Sequence, residues 1–248
     1  MRYFIELKYN GAAYFGWQRQ NDVPTIQGEI ERALSTLLRQ PIEIVGAGRT
    51  DTGVNASHYV AHFDTSSDIC MPLEQLTYKL NVILPEAIAI IRVAEVATDA
   101  HARFDAIERT YTYYIERYKN PFTRHSSWQY YVDLDVEKMN QAAALLTQHK
   151  DFTTFAKLNS NNKNNLCDLH YAHWSQEEGG VLRFEICANR FLRNMVRSIV
   201  GTLVDVGRGK YTVEEFDEIV SSRCLARASA GAPAQGLFLS KITYPYQF

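Results

Sequence analysis

IEIVGAGRTDTGVNASHYVAHFDT, residues 42–65, sets two alternating apolar runs around a stretch with almost no bulk. IEIVGA predicts a short strand entering the stretch, and SHYVAHFDT predicts a strand leaving it. Between them, GAGRTDTGVNA (46–56) places Arg49 and Asp51 one residue apart, among Gly46, Gly48 and Gly53. Ala47 is the only hydrophobic residue between Val45 and Val54, so neither a core strand nor an amphipathic helix fits the segment. A surface ion pair at a turn would use the same residues, because Asp and Gly are common turn formers and Thr50 and Thr52 can cap local backbone. A functional loop makes a sharper demand. A nucleophilic or general-base carboxylate inside a closed site must stay ionised, a neighbouring cation favours that form, and glycines allow a ligand close to the backbone.

Working outward, RYFIELKY (2–9) alternates as a strand, and IQGEIERALSTLLRQ (26–40) carries Ile26, Ile30, Ala33, Leu34, Leu37 and Leu38 at helical spacing. Thr25 is placed to cap that helix and Pro41 to stop it. PLEQLTYKLNVIL (72–84) predicts a second helix with Pro72 in its first turn, and AIAIIRVAEV (87–96) a strand. A second round follows. RTYTYYIERY (109–118) predicts a strand with Tyr111, Tyr113 and Ile115 on one face, and DVEKMNQAAALLTQH (135–149) a helix. DLHYAHWSQ (168–176) and VLRFEICA (181–188) predict a hairpin joined at EEGG. RFLRNMVRSIVGTLVDV (190–206) predicts an amphipathic helix with Leu192, Met195, Val196, Ile199, Val200, Leu203 and Val206 on one stripe. TVEEFDEIVSS carries a Thr212-x-x-Glu215 capping box, and GLFLSKITY (236–244) reads as a last strand. The expected fold class is α+β, with two sheet-plus-helix halves, mixed or antiparallel sheets and a central cleft. Residues 1–104 form the half that carries the Asp51 loop, and 105–248 the half that carries the arginine-rich helix. SNNKNN (160–165) is expected to be a mobile surface loop.

The 248 residues suit one large domain or two ordinary ones, and 46% hydrophobic content supports a real core. A net charge of −2 gives no bulk signal for nucleic acid, so any such binding must come from a local basic surface. Cys70, Cys167, Cys187 and Cys224 lack C-x-x-C spacing and are read as free thiols of a reducing cytosol. Cys167, His170 and His173 have the residue types of a metal site. His170 and His173 are an odd number apart on a strand, however, so they are expected on opposite faces and no metal is expected. The chain opens directly on a strand pattern, and no apolar run approaches the ~20 residues of a membrane span. A soluble cytoplasmic protein is expected.

Two further features can carry chemistry. Arg190, Arg193 and Arg197 recur at three- and four-residue spacing, which on a helix puts them on one face. From Arg183 to Lys210 six basic residues (Arg183, Arg190, Arg193, Arg197, Arg208, Lys210) face two acidic ones, Glu185 and Asp205. A solvated polar face would read the same way. Two of the three arginines would lie near the helix N-terminus, where the dipole disfavours cations, and arginine is the better partner for phosphate and buried carboxylate. Tyr111, just after Arg103 and Arg109, opens its strand. A core tyrosine there would look the same, and pattern does not separate Tyr111 from Tyr113.

These residues, taken together, resemble the tRNA pseudouridine synthase A family. GAGRTDTGVNA is similar to its G-R-T-D-x-G-V-H-A signature, and YNGAAYFGWQRQ to its opening Y-D-G-x-x-Y-x-G-W-Q segment. HARFDAIERTYTY, ANRFLRNMVRSIVGTLVDVGRGK and APAQGLFLSKITYP resemble three more of its segments in the same order, so the likeness covers nearly the whole chain. Asn55 stands where the family usually has His, and Asn10 where Asp is usual. The resemblance implies the pseudouridine synthase fold and isomerisation of uridine to pseudouridine at positions 38 to 40 of the tRNA anticodon stem-loop. It implies neither metal nor organic cofactor, and a homodimer in which one tRNA contacts both subunits.

The resemblance also implies residue roles. Asp51 matches the catalytic aspartate, which either attacks C1′ or removes the 2′ proton; an oxocarbenium-like centre calls for an adjacent carboxylate. Arg197 is expected to pair with it. The target uridine must leave the stem, and Arg49 would fill the vacated space or hold a phosphate. Tyr111 would stack on the uracil and assist proton removal at C5. Leu237 and Leu239 would wall the base, and Arg19, Arg190 and Arg193 would contact phosphates. Without the resemblance, two other readings stand: an RNA-binding module with no chemistry, or a hydrolase with paired carboxylates in which Asp64 joins Asp51.

Overall fold

In the computed structural model, which describes residues 1–157 and 163–248, backbone packing divides the chain into two compact units. The first is Met1–Ile107 together with Leu239–Phe248; the second is Glu108–Phe238. Residues 160–162 of the expected surface loop lie outside the described residues.

The first unit is built on strands β1 (Arg2–Tyr9), β2 (Ile44–Gly46), β3 (Asn55–Asp64) and β4 (Ile88–Val96), with helices α1 (Ile26–Leu38) and α2 (Leu73–Ile83). Antiparallel β1 lies between β3 and β4, and β2 pairs antiparallel with the far part of β3. The alternation seen in RYFIELKY therefore belongs to a central strand: Phe4, Ile5 and Leu7 are fully buried. One cluster gathers Phe4, Val60, Ala100 and Ala102, with Tyr244 and Phe248 packed against it. Helix α1 begins where Thr25 accepts a hydrogen bond from Gly28 N. It ends at Arg39, whose left-handed φ of 54° breaks the helix two residues before Pro41. Pro72 sits one place earlier than expected, at the cap of α2 rather than inside its first turn.

The second unit holds β5 (Glu108–Glu116), β6 (Trp128–Gln129), β7 (Leu169–Gln176) and β8 (Val181–Ala188), with α3 (Val136–Leu145), α4 (Met195–Gly207) and α5 (Val213–Ser221). β8 is antiparallel to both β5 and β7, while β6 runs parallel to β5, so the sheet is mixed. The expected hairpin is β7–β8, and the Thr212–Glu215 capping box opens α5 with both reciprocal hydrogen bonds formed. The last strand, β9 (Leu237–Thr243), lies beside β3 for its first-unit residues.

Helix α4 departs from the sequence reading. It begins at Met195, not Arg190, because Asn194 takes a left-handed φ of 66° and Met195 N bonds Leu192 O as a turn. Of the three arginines expected on one helical face, only Arg197 is on the helix; Arg190 and Arg193 precede it. The helix is also buried almost all round, including Ser198, Thr202 and Asp205, so it presents no solvated polar face.

Candidate active site

The Arg49–Asp51 loop is braced from beneath by the opening segment of the chain. Tyr9 Oη and Thr50 Oγ1 lie 2.8 Å apart in a buried hydrogen bond, and Trp17 N donates to Thr50 O at 3.3 Å. Gly16, at φ 88°, passes so close that a Cβ there would stand 2.5 Å from Thr50 O. Asp51 O accepts from Val54 N at 3.1 Å, which closes a turn, and Gly53 N donates to Tyr14 O. Thr50 is buried, Asp51 half-buried and Arg49 exposed, so the backbone is fixed on the N-terminal side of Asp51 while Asp51 itself keeps partial exposure.

An aromatic trio supports the other side of the loop. Trp17 stacks on Tyr59 with ring centroids 4.1 Å apart, and Tyr9 lies 5.7 Å from Tyr59. The Tyr59 hydroxyl donates to Gly48 O. Tyr9, Trp17 and Tyr59 had no role in the sequence reading. Tyr9 and Trp17 fall inside the opening segment quoted for the resemblance, and that was the signal that could have found them.

The two departures from the family pattern have local duties. Asn55 is buried, and its Oδ1 accepts from Gly11 N at 2.8 Å, joining the start of β3 to the end of β1. Asn10 Oδ1 accepts from Ala12 N at 2.9 Å, a side-chain-to-backbone turn. Gln27 and Glu31 form a second missed network. Glu31 is buried, accepts from Ile44 N and Gln27 Nε2, and pairs with Arg19 at 3.3 Å. Arg19 therefore stays largely in solvent but is anchored to α1, and Arg49 Nε donates to Gln18 Oε1 at 3.2 Å. Asp64 does not stand beside Asp51. It is at the opposite end of β3, about 30 Å along a ten-residue strand, where both its oxygens bind Arg2 at 2.8 Å. That removes the paired-carboxylate geometry.

The second unit holds the remaining expected residues except Leu239, which belongs to the first. Tyr111 and Tyr113, indistinguishable by pattern, differ in structure. Tyr113 is fully buried; its hydroxyl donates to Pro233 O at 2.7 Å, and burial holds its phenol well above the ordinary range. Tyr111 is half-buried with its ring edge-on to Phe191, centroids 5.1 Å apart. Arg197 Nε donates to Ala232 O at 2.6 Å and its own carbonyl accepts from Ala232 N, so the arginine clamps the segment leading to β9. Gly201, one turn further on, admits Ala230 O into a space that a Cβ would fill. Arg190 Nη1 donates to Asn164 Oδ1 at 3.2 Å, and Arg193 is exposed. Leu237 and Leu239 are both buried.

The basic patch is smaller than its residue count. Asp205 binds Arg208 at 2.8 Å and Lys210 at 2.7 Å, and Arg183 pairs with Glu185 and Glu177. The trio of Cys167, His170 and His173 considered from sequence is not gathered: Cys167 Sγ faces Met195 Sδ at 3.9 Å, and none of the four cysteines is in a disulfide.

The chain is an α+β protein with a mixed sheet and a half-buried aspartate on a braced loop. Residues 7–105 and 142–245 match the family model described as tRNA pseudouridine synthase. The chain belongs to the tRNA pseudouridine synthase family. It is 49% identical over 245 residues to the tRNA pseudouridine synthase A of Porphyromonas gingivalis, covering 98% of this chain and 97% of that one. It is 46% identical over 246 residues to the protein of the same name from Bacteroides fragilis, covering 99% and 97%. A more distant relative of that name, from a Shewanella species, is 37% identical over 250 residues, covering 100% and 95%.

Proposed function

We propose that this chain, an isomerase that converts uridine to pseudouridine in tRNA, acts at positions 38 to 40 of the anticodon stem-loop with Asp51 as its catalytic carboxylate. The observation that carries this reading is the bracing of the Asp51 turn by Tyr9, Gly16 and Trp17. Breaking the C1′–N1 bond builds positive charge at C1′, and a carboxylate must wait there without having to reorganise. A loop pinned through buried Thr50 does this while Asp51 keeps partial exposure, so that a flipped nucleotide can reach it.

In this reading Arg197 supplies the cation that keeps Asp51 ionised, and Arg49 occupies the space the uridine vacates or holds its phosphate. The half-buried ring of Tyr111 stacks on the uracil, and Leu237 and Leu239 are its apolar wall. Arg19, Arg190 and Arg193 contact phosphates, so tRNA affinity falls steeply with salt. The enzyme works as a cytoplasmic homodimer without a cofactor, and sedimentation of the purified protein tests the dimer.

The deciding experiment incubates tRNA transcripts carrying 5-tritiated uridine with wild type and with Asp51→Asn. Wild type releases tritium as the new C1′–C5 bond displaces the C5 hydrogen. Asp51→Asn, folded and binding tRNA, loses at least ~10³-fold in rate, as removal of a direct catalytic group does. Equal release from both proteins, or release from neither, overturns the assignment. Free uracil in the products would instead mark a hydrolase.

A further inference from the structure

Away from Asp51 and Tyr111, three side chains of the second unit converge without a part in the proposed chemistry. β7 is irregular between Leu169 and Tyr171, where its register against β8 slips. The slip takes His170 out of the strict alternation assumed from sequence, and its imidazole reaches across β8. His170 Nδ1 lies 2.9 Å from Glu108 Oε1 on β5 and 3.9 Å from Cys187 Sγ on β8. One ligand atom from each residue lies within 4.8 Å of the other two.

We propose that Glu108, His170 and Cys187 bind a Zn2+ ion. Imidazole, carboxylate and thiol are the three ligand types that zinc takes, and here one of each converges on a single point. Zinc bond lengths of about 2.0–2.3 Å put tetrahedral ligands roughly 3.3–3.8 Å apart. His170 Nδ1 and Glu108 Oε1 stand closer than that and Cys187 Sγ slightly farther from Nδ1, so the site asks the first pair to open and the thiol to close in by side-chain rotation. A sulfur, nitrogen and oxygen set suits zinc and not magnesium or calcium. The thiolate and the carboxylate together balance the ion's two charges. Cys187 is buried and His170 exposed, which leaves the outer side open to water as fourth ligand. Asp168, paired with Lys150, is the further carboxylate whose charge reaches His170.

The site lies on the face of β5 opposite to Tyr111, because Glu108 and Thr110 alternate with it and Thr110 pairs with Cys187. Zinc here staples three neighbouring strands and takes no part in the isomerisation.

The test titrates Co2+ into metal-free protein. One equivalent binds with a thiolate-to-cobalt charge-transfer absorption, and Zn2+ displaces it. Cys187→Ser abolishes the absorption. His170→Gln and Glu108→Gln, at accessible positions where folding is not at risk, each weaken binding at least ~10-fold, since losing even a hydrogen-bond partner of a metal ligand reaches that size. Bound Zn2+ also slows alkylation of Cys187 relative to exposed Cys70 and Cys224, as read by peptide mapping. Tritium release is the same with and without Zn2+. The proposal is overturned by no charge-transfer band, by a band that survives Cys187→Ser, or by unchanged affinity in both His170→Gln and Glu108→Gln.

Discussion

At Asn55 a single amide does a structural job beside a chemical one. Its Oδ1 is the partner of Gly11 N, and the pair is buried. Asn55→Ala leaves that N–H without its acceptor and costs roughly 1–3 kcal/mol, read as a lowered urea midpoint at constant slope. Gly16 poses a different test. At φ 88° an added methyl is strained, and it meets Thr50 O, the residue next to Asp51. Gly16→Ala therefore displaces the loop. A shift of about 1 Å at a reacting group can cost ~10²-fold in rate, so tritium release should fall by about that factor while tRNA binding changes little. If Gly16→Ala keeps full activity, the bracing of Asp51 is not what positions it.

Strand β5 separates two tyrosines that the sequence could not, and the separation is measurable. Tyr113→Phe removes the hydroxyl that Pro233 O accepts, a buried loss of roughly 1–3 kcal/mol. It should lower the melting temperature by about 2–4 °C per kcal/mol and leave the rate intact below the transition. Tyr111→Phe is read in the rate instead, which should fall by at least ~10²-fold below the transition if the phenol assists proton removal. The reverse pattern would exchange their roles. What was legible follows from what is local. Alternation gave β1, β3, β5, β7 and β8 because each has a strongly apolar face, and Thr25 and the Thr212–Glu215 box marked helix starts through bonds within a few residues. The start of α4 was not legible, because Leu192, Met195 and Val196 keep helical spacing through a turn that only the φ of Asn194 reveals. The burial of α4 was hidden for a related reason: Ser198, Thr202 and Asp205 look solvent-facing, but Ser229 bonds both Thr202 and Asp205 from 27 and 24 residues away. In the candidate site, the motif disclosed Arg49 and Asp51, whereas the brace of Tyr9, Trp17 and Tyr59 depends on β1 meeting β3.

Stability against pH is a property of the whole chain, and its acid limb should fall in two windows with different causes. His62 is buried on β3, and its Nδ1 accepts from Ala102 N at 3.2 Å, so the neutral ring is the one the fold uses. Burial, with Arg2 nearby, pushes its pKa down to about 4 from the ordinary 6.5. Between those values the unfolded chain binds the proton and the folded chain does not, so stability rises with pH and is lost as pH falls from 6.5 towards 4. The drop of 2.5 units, 6.5 minus 4, corresponds to about 3 kcal/mol at most. His58, also lowered chiefly by burial, acts with the same sign. The carboxylates come in lower. Asp64, held down first by its hydrogen bond from Arg2, stabilises above the ordinary carboxylate range and is lost only as pH falls through its depressed value. His62→Gln, whose side-chain oxygen can still accept from Ala102 N, removes the upper contribution and leaves the lower one. Urea unfolding across the range should then show wild type losing up to about 3 kcal/mol more than His62→Gln between pH 6.5 and 4, with the two curves running parallel below. Parallel curves above pH 4 as well would mean that His62 protonates in the folded chain as easily as in the unfolded one, and that burial of β3 is not what limits acid stability.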